Sequence, residues 1–298
     1  IEFLSQSNTN ANCVKTDLRW KWVDDLTFIK IINLLNIGIA SYHTKVHIPN
    51  DLDINKHYIS PENLETTKHL KYISEWTDKQ KMKLNIKKTN TMVFNFTGKF
   101  QFSTRMNINN EKIDTVEKTK LLGTVITNDL KWDDNTKEII KKANMRMCLL
   151  RKVACFKPPR KDLKLIYIQY VRSILEQSCV VWHSSLTSEN KEDIERVQKN
   201  ALRIILKNEY SEYETALEIL NLESLEERRK NLSLKFAQKG KENPIISNLF
   251  KYKDKEHNMK LRNTEAFNVN KANTERYKNS AIPFMQRLLN EHEKQKRD

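Results

Sequence analysis

Glycine and proline are scarce in this chain, which has four glycines and six prolines among 298 residues. Because both residues mark tight turns, their scarcity favours long helices over a fold with many short connections. The four cysteines form no C-x-x-C pair and no cluster with histidine, which favours a reduced, intracellular setting. No apolar run approaches the ~20 residues of a membrane-spanning helix. We therefore expect no membrane partner.

Sequence signatures of several site classes are missing as well. The chain has no glycine-rich nucleotide-binding loop and no G-x-S-x-G motif of a serine hydrolase. His43 and His47 are four residues apart, but no third ligand accompanies them, so the sequence does not predict a zinc site.

Positive charge is in clear excess. Lysine and arginine number 53 against 38 aspartate and glutamate residues, for a formal net charge of +15. Such an excess says little about the fold, but it favours a polyanionic partner, most simply a nucleic acid.

The stretch from Trp20 to Phe28 predicts a hairpin. Apolar and polar residues alternate on both sides of the pair Asp24 and Asp25, as in two half-buried strands. At the apex, two carboxylates could hold divalent metal ions. The alternative is an ordinary turn, since aspartate is common in turns for its local hydrogen bonds.

The motif Trp22-Val23-Asp24-Asp25 resembles the aromatic-x-Asp-Asp box of reverse transcriptases, and the residues around it resemble the jockey-like group of non-LTR retrotransposons. The aromatic residue in that family is usually tyrosine or phenylalanine, so Trp22 is a departure. The resemblance implies that Asp24 and Asp25 are catalytic ligands of Mg²⁺, with Asp24 the stronger ligand. It also implies that Trp22 packs near the primer terminus.

Two later segments resemble further elements of the same family. Trp76 followed by Lys88 resembles the next helix and strand of the polymerase palm, where the lysine is proposed to protonate the pyrophosphate leaving group. The alternative for Lys88 is a solvated loop charge. The run from Lys120 to Ile126 predicts a strand, and its Leu122-Gly123 pair resembles the primer-grip box. Gly123 could instead mark an ordinary β-bulge.

The run from Lys137 to Lys164 contains ten lysines and arginines and two acidic residues. Such a run often only solvates a helix face, but the family places its thumb here, which favours phosphate contact. Pro158-Pro159 predicts a break between helices, and Ser224 with Glu227 predicts a capping box for a helix that ends near Gly240. The leading candidates lie between the apolar core positions of the first helix. They are Lys141, Lys142, Arg146, Arg151 and Lys152.

The predicted fold class is α+β, a partial polymerase palm followed by an α-helical thumb and a C-terminal helical region. We expect an irregular segment over 1–17, the palm over 18–132, the thumb and connection over 133–240 and a weakly packed tail over 241–298. The resemblance covers most of the chain from Leu18 onward.

The resemblance implies an RNA-directed DNA polymerase with Mg²⁺ as cofactor, and an RNA template, a DNA primer and deoxynucleoside triphosphates as partners, acting in the nucleus. Nothing in the chain resembles the family's earlier catalytic aspartate strand or its Gln-Gly segment. We therefore expect this chain alone to be inactive in nucleotidyl transfer. The alternative is a non-catalytic protein that keeps only the nucleic-acid grip of the thumb.

Overall fold

A computed structural model describes residues 18–21, 26–29, 65–81, 84–94, 106–253 and 266–296. The chain divides into two compact units, one from Ile1 to Val116 and the other from Glu117 to Asp298. Short strands and helices occur together within the described ranges, so the predicted α+β class is confirmed.

The first unit begins with an antiparallel pair of strands, β1 (Leu18–Lys21) and β2 (Leu26–Ile29). Their register pairs Lys21 with Leu26 and Leu18 with Ile29. The antiparallel pairing predicted on both sides of the Asp-Asp motif is thus confirmed. The residues between the strands, including Trp22, Asp24 and Asp25, lie outside the described residues.

Helix α1 (Glu65–Lys79) and a three-stranded sheet form the described core of this unit. The central strand is β5 (Glu111–Thr115). It pairs in parallel with β3 (Asn90–Thr91) and antiparallel with β4 (Met106–Ile108). Three apolar side chains of β4 and β5 are buried, and Leu70 of α1 packs against them. Packing on one side of a small sheet explains why only one face of α1 approaches it.

The second unit starts with a hairpin of β6 (Lys118–Leu121) and β7 (Thr124–Thr127) and continues almost entirely as helix. The helices are α2 (Asp133–Cys155), α3 (Arg160–Ile166), α4 (Ser173–Glu176), α5 (Cys179–Trp182), α6 (Ser188–Leu206), α7 (Tyr213–Leu220), α8 (Leu225–Gly240), α9 (Glu275–Lys278) and α10 (Ala281–Gln295). A π-helical turn, Tyr167–Arg172, joins α3 to α4. The helix break at Pro158-Pro159 is confirmed, as is the Ser224 cap, whose side chain accepts a hydrogen bond from the Glu227 N–H.

One large apolar cluster joins the helices from α2 to α8. Its fully buried members include Met147 and Leu150 of α2, Leu175 of α4, Trp182 of α5 and Ile194 of α6. These residues recur at helical spacing in the sequence, which is why each helix turns one apolar stripe toward the others. Helix α2 packs against this cluster through one face along most of its length.

A second cluster packs α10 against α8, with Ala237, Phe250, Phe267, Met285 and Leu289 buried. Most of this cluster lies within residues 241–298, where we expected weak packing. The cluster is not evident from the sequence, because its members come from short apolar segments that are separated by polar residues. Across the described ranges, no helix is both long and apolar enough to cross a membrane.

Candidate nucleic-acid interface

Helix α2 has one buried face and one solvent-facing side. Asp133 and Asp134 lie in its first turn, where negative charge is favoured by the helix dipole. The buried face contains four of the five residues of the predicted apolar stripe, Ile139, Ala143, Met147 and Leu150, whereas the fifth, Ile140, is half-buried. Three further buried positions extend it: Asn135, Thr136 and Ala154. The basic side chains of the helix therefore fall on the remaining surface.

The predicted contact residues occupy that surface. Lys141, Arg146, Arg151 and Lys152 are exposed, and Lys142 is half-buried. Helical phase spreads them over much of the solvent-facing circumference rather than along a single line. A ligand lying along α2 would therefore meet positive charge over a wide arc.

Most cations in the run 137–164 have no side-chain partner in the described part of the chain. Lys142 forms an ion pair with Glu138, with Nζ and Oε1 3.5 Å apart, and Arg160 pairs with Glu209. Lys164 Nζ donates to the Asn221 carbonyl at 3.5 Å. The remaining cations of the run have no such partner among the described residues, and we call them unpartnered in that sense. They are Lys137, Lys141, Arg146, Arg151, Lys152, Lys157 and Lys161.

The β6–β7 hairpin braces the start of α2. The Asn135 side chain accepts a hydrogen bond from the Val125 N–H at 3.1 Å. Lys118 and Lys120 pair with Asp134 and Glu138 at 3.4 and 3.5 Å. These exposed ion pairs contribute little stability individually. They compensate the negative charge of Asp134 and Glu138 at this end of the helix, and the unpartnered cations lie mostly further along it.

A buried hydrogen-bond chain ties the helices beneath the interface together. The Tyr167 hydroxyl donates to Gln198 Oε1, and Gln198 Nε2 donates to the Tyr213 hydroxyl at 2.8 Å and to the Glu223 carbonyl at 3.0 Å. The Tyr213 hydroxyl in turn donates to Glu195. Burial raises the pKa of Tyr167, so its hydroxyl keeps its proton and remains a donor.

A buried arginine lies in the same core. Arg229 of α8 has no exposed surface, and its Nε donates to His183 Nδ1 at 3.2 Å. Its guanidinium carbon lies 5.9 Å from the Trp182 ring centroid. Burial lowers the pKa of His183 to about 3, with the charges of Arg229 and Lys191 acting in the same direction. A neutral imidazole is the form that can accept from a guanidinium.

The Leu122-Gly123 pair forms a turn and does not lie within a strand. A single strand from Lys120 to Ile126 is therefore wrong: Leu121 pairs with Thr124 across a two-residue turn. Both turn residues have positive φ, +48° for Leu122 and +87° for Gly123, as a type I′ turn requires. Glycine adopts this conformation without strain, whereas leucine does not.

The space beside Gly123 is filled by Gln177. A Cβ at Gly123 would lie 2.4 Å from Gln177 Nε2, which donates to the Leu122 carbonyl at 3.3 Å. The close approach at this glycine is made by a side chain from the link between α4 and α5. The predicted contact of Leu122 and Gly123 with a primer strand stays a prediction.

The other predicted site residues belong to the first unit. Lys88 ends a short 3-10 helix, Ile86–Lys88, and its side chain is exposed. We expected a helix and then a strand around Lys88, and the strand is mostly wrong. The described residues 84–94 contain this 3-10 helix and two strand residues, Asn90 and Thr91, and the Asn85 side chain caps the helix by accepting from the Lys88 N–H.

Asp24, Asp25 and Trp22 lie outside the described residues, so their roles and the Mg²⁺ ligands stay predictions. Elsewhere in the described ranges, no group of three His, Cys, Asp or Glu side chains could hold a metal ion.

Sequence reasoning missed two features of the interface. The cations of the helix corner, Lys157 and Lys161, were not among the leading candidates, but they are exposed and have no partner in the described residues, like four of the five candidates on α2. Phe156 is 86% exposed, and its position, seven residues after the exposed Leu149, could have shown that it faces away from the core.

Comparison of the chain with protein-family models, curated proteins and solved structures finds no match.

Proposed function

We propose that this chain is part of an RNA-directed DNA polymerase of a non-LTR retrotransposon, and that its helical unit binds the template–primer duplex through the outer side of α2. The polymerase assignment is supported by the order of motifs that resemble the family. The binding role is supported chiefly by one observation: seven cations of the run 137–164 have no side-chain partner in the part of the chain that the structure describes.

Phosphate groups are the chemistry that suits this surface. Lysine and arginine contact backbone phosphates without reading base edges, so such contacts position a duplex rather than select a sequence. Paired cations contribute less, because their charge is already compensated. We therefore expect tight binding to RNA–DNA hybrid at low salt, with little base preference.

Salt titration tests this role directly. Each phosphate contact releases counterions, so the logarithm of the affinity falls by about 0.7–0.9 for each tenfold rise in salt per contact. Five contacts predict a total slope of about −4. The test measures affinity for an RNA–DNA hybrid by fluorescence anisotropy, with a neutral polymer as competitor. No binding, or a slope near zero, would overturn the proposal.

Primer extension tests the polymerase assignment separately. The family site needs a third carboxylate beside those matched by Asp24 and Asp25, and it places a lysine matched by Lys88 near the triphosphate. We therefore expect no extension by this chain with Mg²⁺, hybrid template–primer and nucleotides. Extension that is abolished by Asp24→Ala would show that another carboxylate completes the site.

A second candidate is a non-catalytic nucleic-acid-binding protein. It is favoured by the fact that the unpartnered cations belong to the second unit, whereas Asp24, Asp25 and Lys88 belong to the first. Titration with Mn²⁺, followed by its paramagnetic relaxation, separates the two. Mn²⁺ binding that is lost in Asp24→Ala supports a retained polymerase site, and hybrid binding without such a metal site supports the non-catalytic protein.

A further inference from the structure

Phe156 is the most exposed of the large apolar side chains in the described residues, at 86%. It lies at the corner between α2, which ends at Cys155, and α3, which begins at Arg160. Single exposed apolar residues are common on protein surfaces. The surroundings of Phe156 distinguish it from such cases.

The corner that carries Phe156 is stiff. The N–H groups of Phe156 and Lys157 donate to the carbonyls of Val153 and Ala154, at 3.0 and 3.2 Å. Lys207 Nζ donates to the same Ala154 carbonyl at 3.3 Å. The next two residues are prolines, whose rings restrict the backbone. A ring on such a corner loses little conformational entropy when it meets a ligand.

Phe156 also continues an apolar line on the outer side of α2. Met145 and Leu149 are exposed, and positions 145, 149 and 156 share one helical face. Lys152 lies on the same face, between Leu149 and Phe156. This arrangement interleaves apolar groups with unpartnered positive charge.

Unpartnered cations flank the ring on both sides in the chain. Arg151 and Lys152 precede it, and Lys157 and Lys161 follow it. The closest acidic residue along the chain is Asp162. An apolar protein partner would leave these charges uncompensated, whereas a nucleic acid offers a flat base to the ring and phosphates to the cations.

We infer that Phe156 stacks on an unpaired base where a duplex meets a single strand, so that the substrate class of this surface is a duplex with a single-stranded overhang. The inference rests on the proposed binding role of α2. Cations along α2 hold the phosphates of the duplex, and the corner receives the first base beyond it. Aromatic stacking tolerates any base, because every base has a π-face.

The experiment compares a blunt RNA–DNA hybrid with the same hybrid carrying a short overhang whose first unpaired base is 2-aminopurine. Affinity and 2-aminopurine fluorescence are measured for the parent chain, Phe156→Ala and Phe156→Trp. Ile219→Ala is the matched control, since Ile219 is also exposed but lies on the acidic helix α7.

We expect the parent to bind the overhang more tightly than the blunt hybrid and to change the fluorescence of the unpaired base. Phe156→Ala should lower affinity for the overhang about 5-fold or more, the lower limit for one base–aromatic stack. It should leave affinity for the blunt hybrid unchanged. Phe156→Trp and Ile219→Ala should keep the preference of the parent for the overhang.

Two outcomes overturn the inference and are distinguishable from failure of the proposed function. Equal affinity of the parent for both hybrids, or an unchanged overhang preference in Phe156→Ala, shows that the Phe156 ring does not stack on the unpaired base. Failure of the parent to bind even the blunt hybrid counts against the proposed function itself.

Discussion

The polar side chains on the outer side of α2 and those in the core beneath it differ in how many hydrogen-bond partners they have. In the core, Gln198 uses its side-chain oxygen and both amide hydrogens in hydrogen bonds to neighbouring elements. On the outer side, Lys141 and Lys152 have no side-chain partner in the described residues. Both regions are rich in polar atoms, yet the Gln198 side chain is fully hydrogen-bonded, whereas most of the outer cations have no partner among the described residues.

This difference separates stability from binding. A buried donor that loses its acceptor carries the full cost of desolvation, whereas an exposed cation is already hydrated. Substitutions in the core should therefore change the free energy of unfolding and leave affinity for nucleic acid alone. Substitutions on the outer side should do the reverse. The core also has exceptions: Asn135 Nδ2, Thr136 Oγ1, Ser184 Oγ and both terminal nitrogens of Arg229 are buried without a hydrogen-bond partner among the described residues.

The largest expected effect is on binding. Charge reversal to glutamate at the five leading candidates should weaken hybrid binding by about 1,000-fold at low salt, because phosphate contacts dominate non-specific affinity. The free energy of unfolding should change by no more than about 2 kcal/mol, since four of the five residues are exposed and exposed substitutions usually cost little, whereas Lys142 also loses its ion pair with Glu138. Anisotropy and urea unfolding measure the two quantities. The substituted residues are Lys141, Lys142, Arg146, Arg151 and Lys152.

A second five-fold variant controls for net charge alone. It reverses exposed lysines of the same unit that lie outside α2 and the helix corner, and it should retain most of the affinity. An equal loss in both variants would show that binding depends on total charge and not on α2. The control positions are Lys235, Lys239, Lys271, Lys294 and Lys296.

The core counterpart is Gln198→Leu. It leaves the buried Tyr167 hydroxyl without its acceptor, and we expect it to lower the free energy of unfolding by about 2–3 kcal/mol. Hybrid affinity should not change while the protein is folded. Adding Tyr167→Phe removes the orphaned hydroxyl and should recover part of the loss. If the single variant unfolds like the parent, the hydrogen-bond chain does not stabilise this core.

A smaller effect is expected from pH. His183 has a folded-state pKa of about 3, below the value of about 6.5 in an unfolded chain. The unfolded state therefore binds more protons between these values, so this contribution to stability is complete above about pH 6.5 and decreases as pH falls toward 3. Between pH 7 and pH 5 the loss should be about 1–2 kcal/mol.

His183→Asn provides the comparison, because its amide oxygen can still accept from Arg229 but does not titrate. Urea unfolding of both proteins at the two pH values should show a smaller pH dependence in the variant. An identical pH dependence would mean that His183 does not titrate differently on folding.

The smallest expected effect is at the turn of the β6–β7 hairpin. Gly123→Ala places a methyl group against Gln177 and keeps a positive φ, so it should lower the free energy of unfolding by about 1 kcal/mol. Adding Gln177→Ala to this variant removes the clash but not the backbone strain. It should therefore restore only part of the lost free energy of unfolding. Full restoration would show that φ at this turn costs nothing.

Local patterns were sufficient where the physics is local. The alternation around the Asp-Asp motif correctly predicted two antiparallel strands, because strand faces repeat every two residues. Pro158-Pro159 and Ser224 correctly placed a helix break and a helix cap, since both act on backbone groups within a few residues. The apolar stripe of α2 likewise identified the side of the helix on which cations stay exposed.

The turn at Leu122-Gly123 shows where such patterns fail. The run from Lys120 to Ile126 has strand-forming residues throughout, and glycine in a strand is compatible with a bulge or a turn. The turn is accompanied by contacts with a distant segment, including the donation from Gln177 to Leu122 across 55 positions of the chain. No window around Gly123 contains that information.

By itself, the sequence determined the helix break at Pro158-Pro159, the Ser224 cap, most of the apolar face of α2 and the concentration of positive charge between Lys137 and Lys164, because propensity, periodicity and charge are properties of neighbouring residues. Only the tertiary structure decided which of those cations lack an ion-pair or hydrogen-bond partner among the described residues. It also decided that Gln177 packs beside Gly123 and which groups form hydrogen bonds with Gln198. Those outcomes depend on groups that are distant in the chain and meet only when the helices pack.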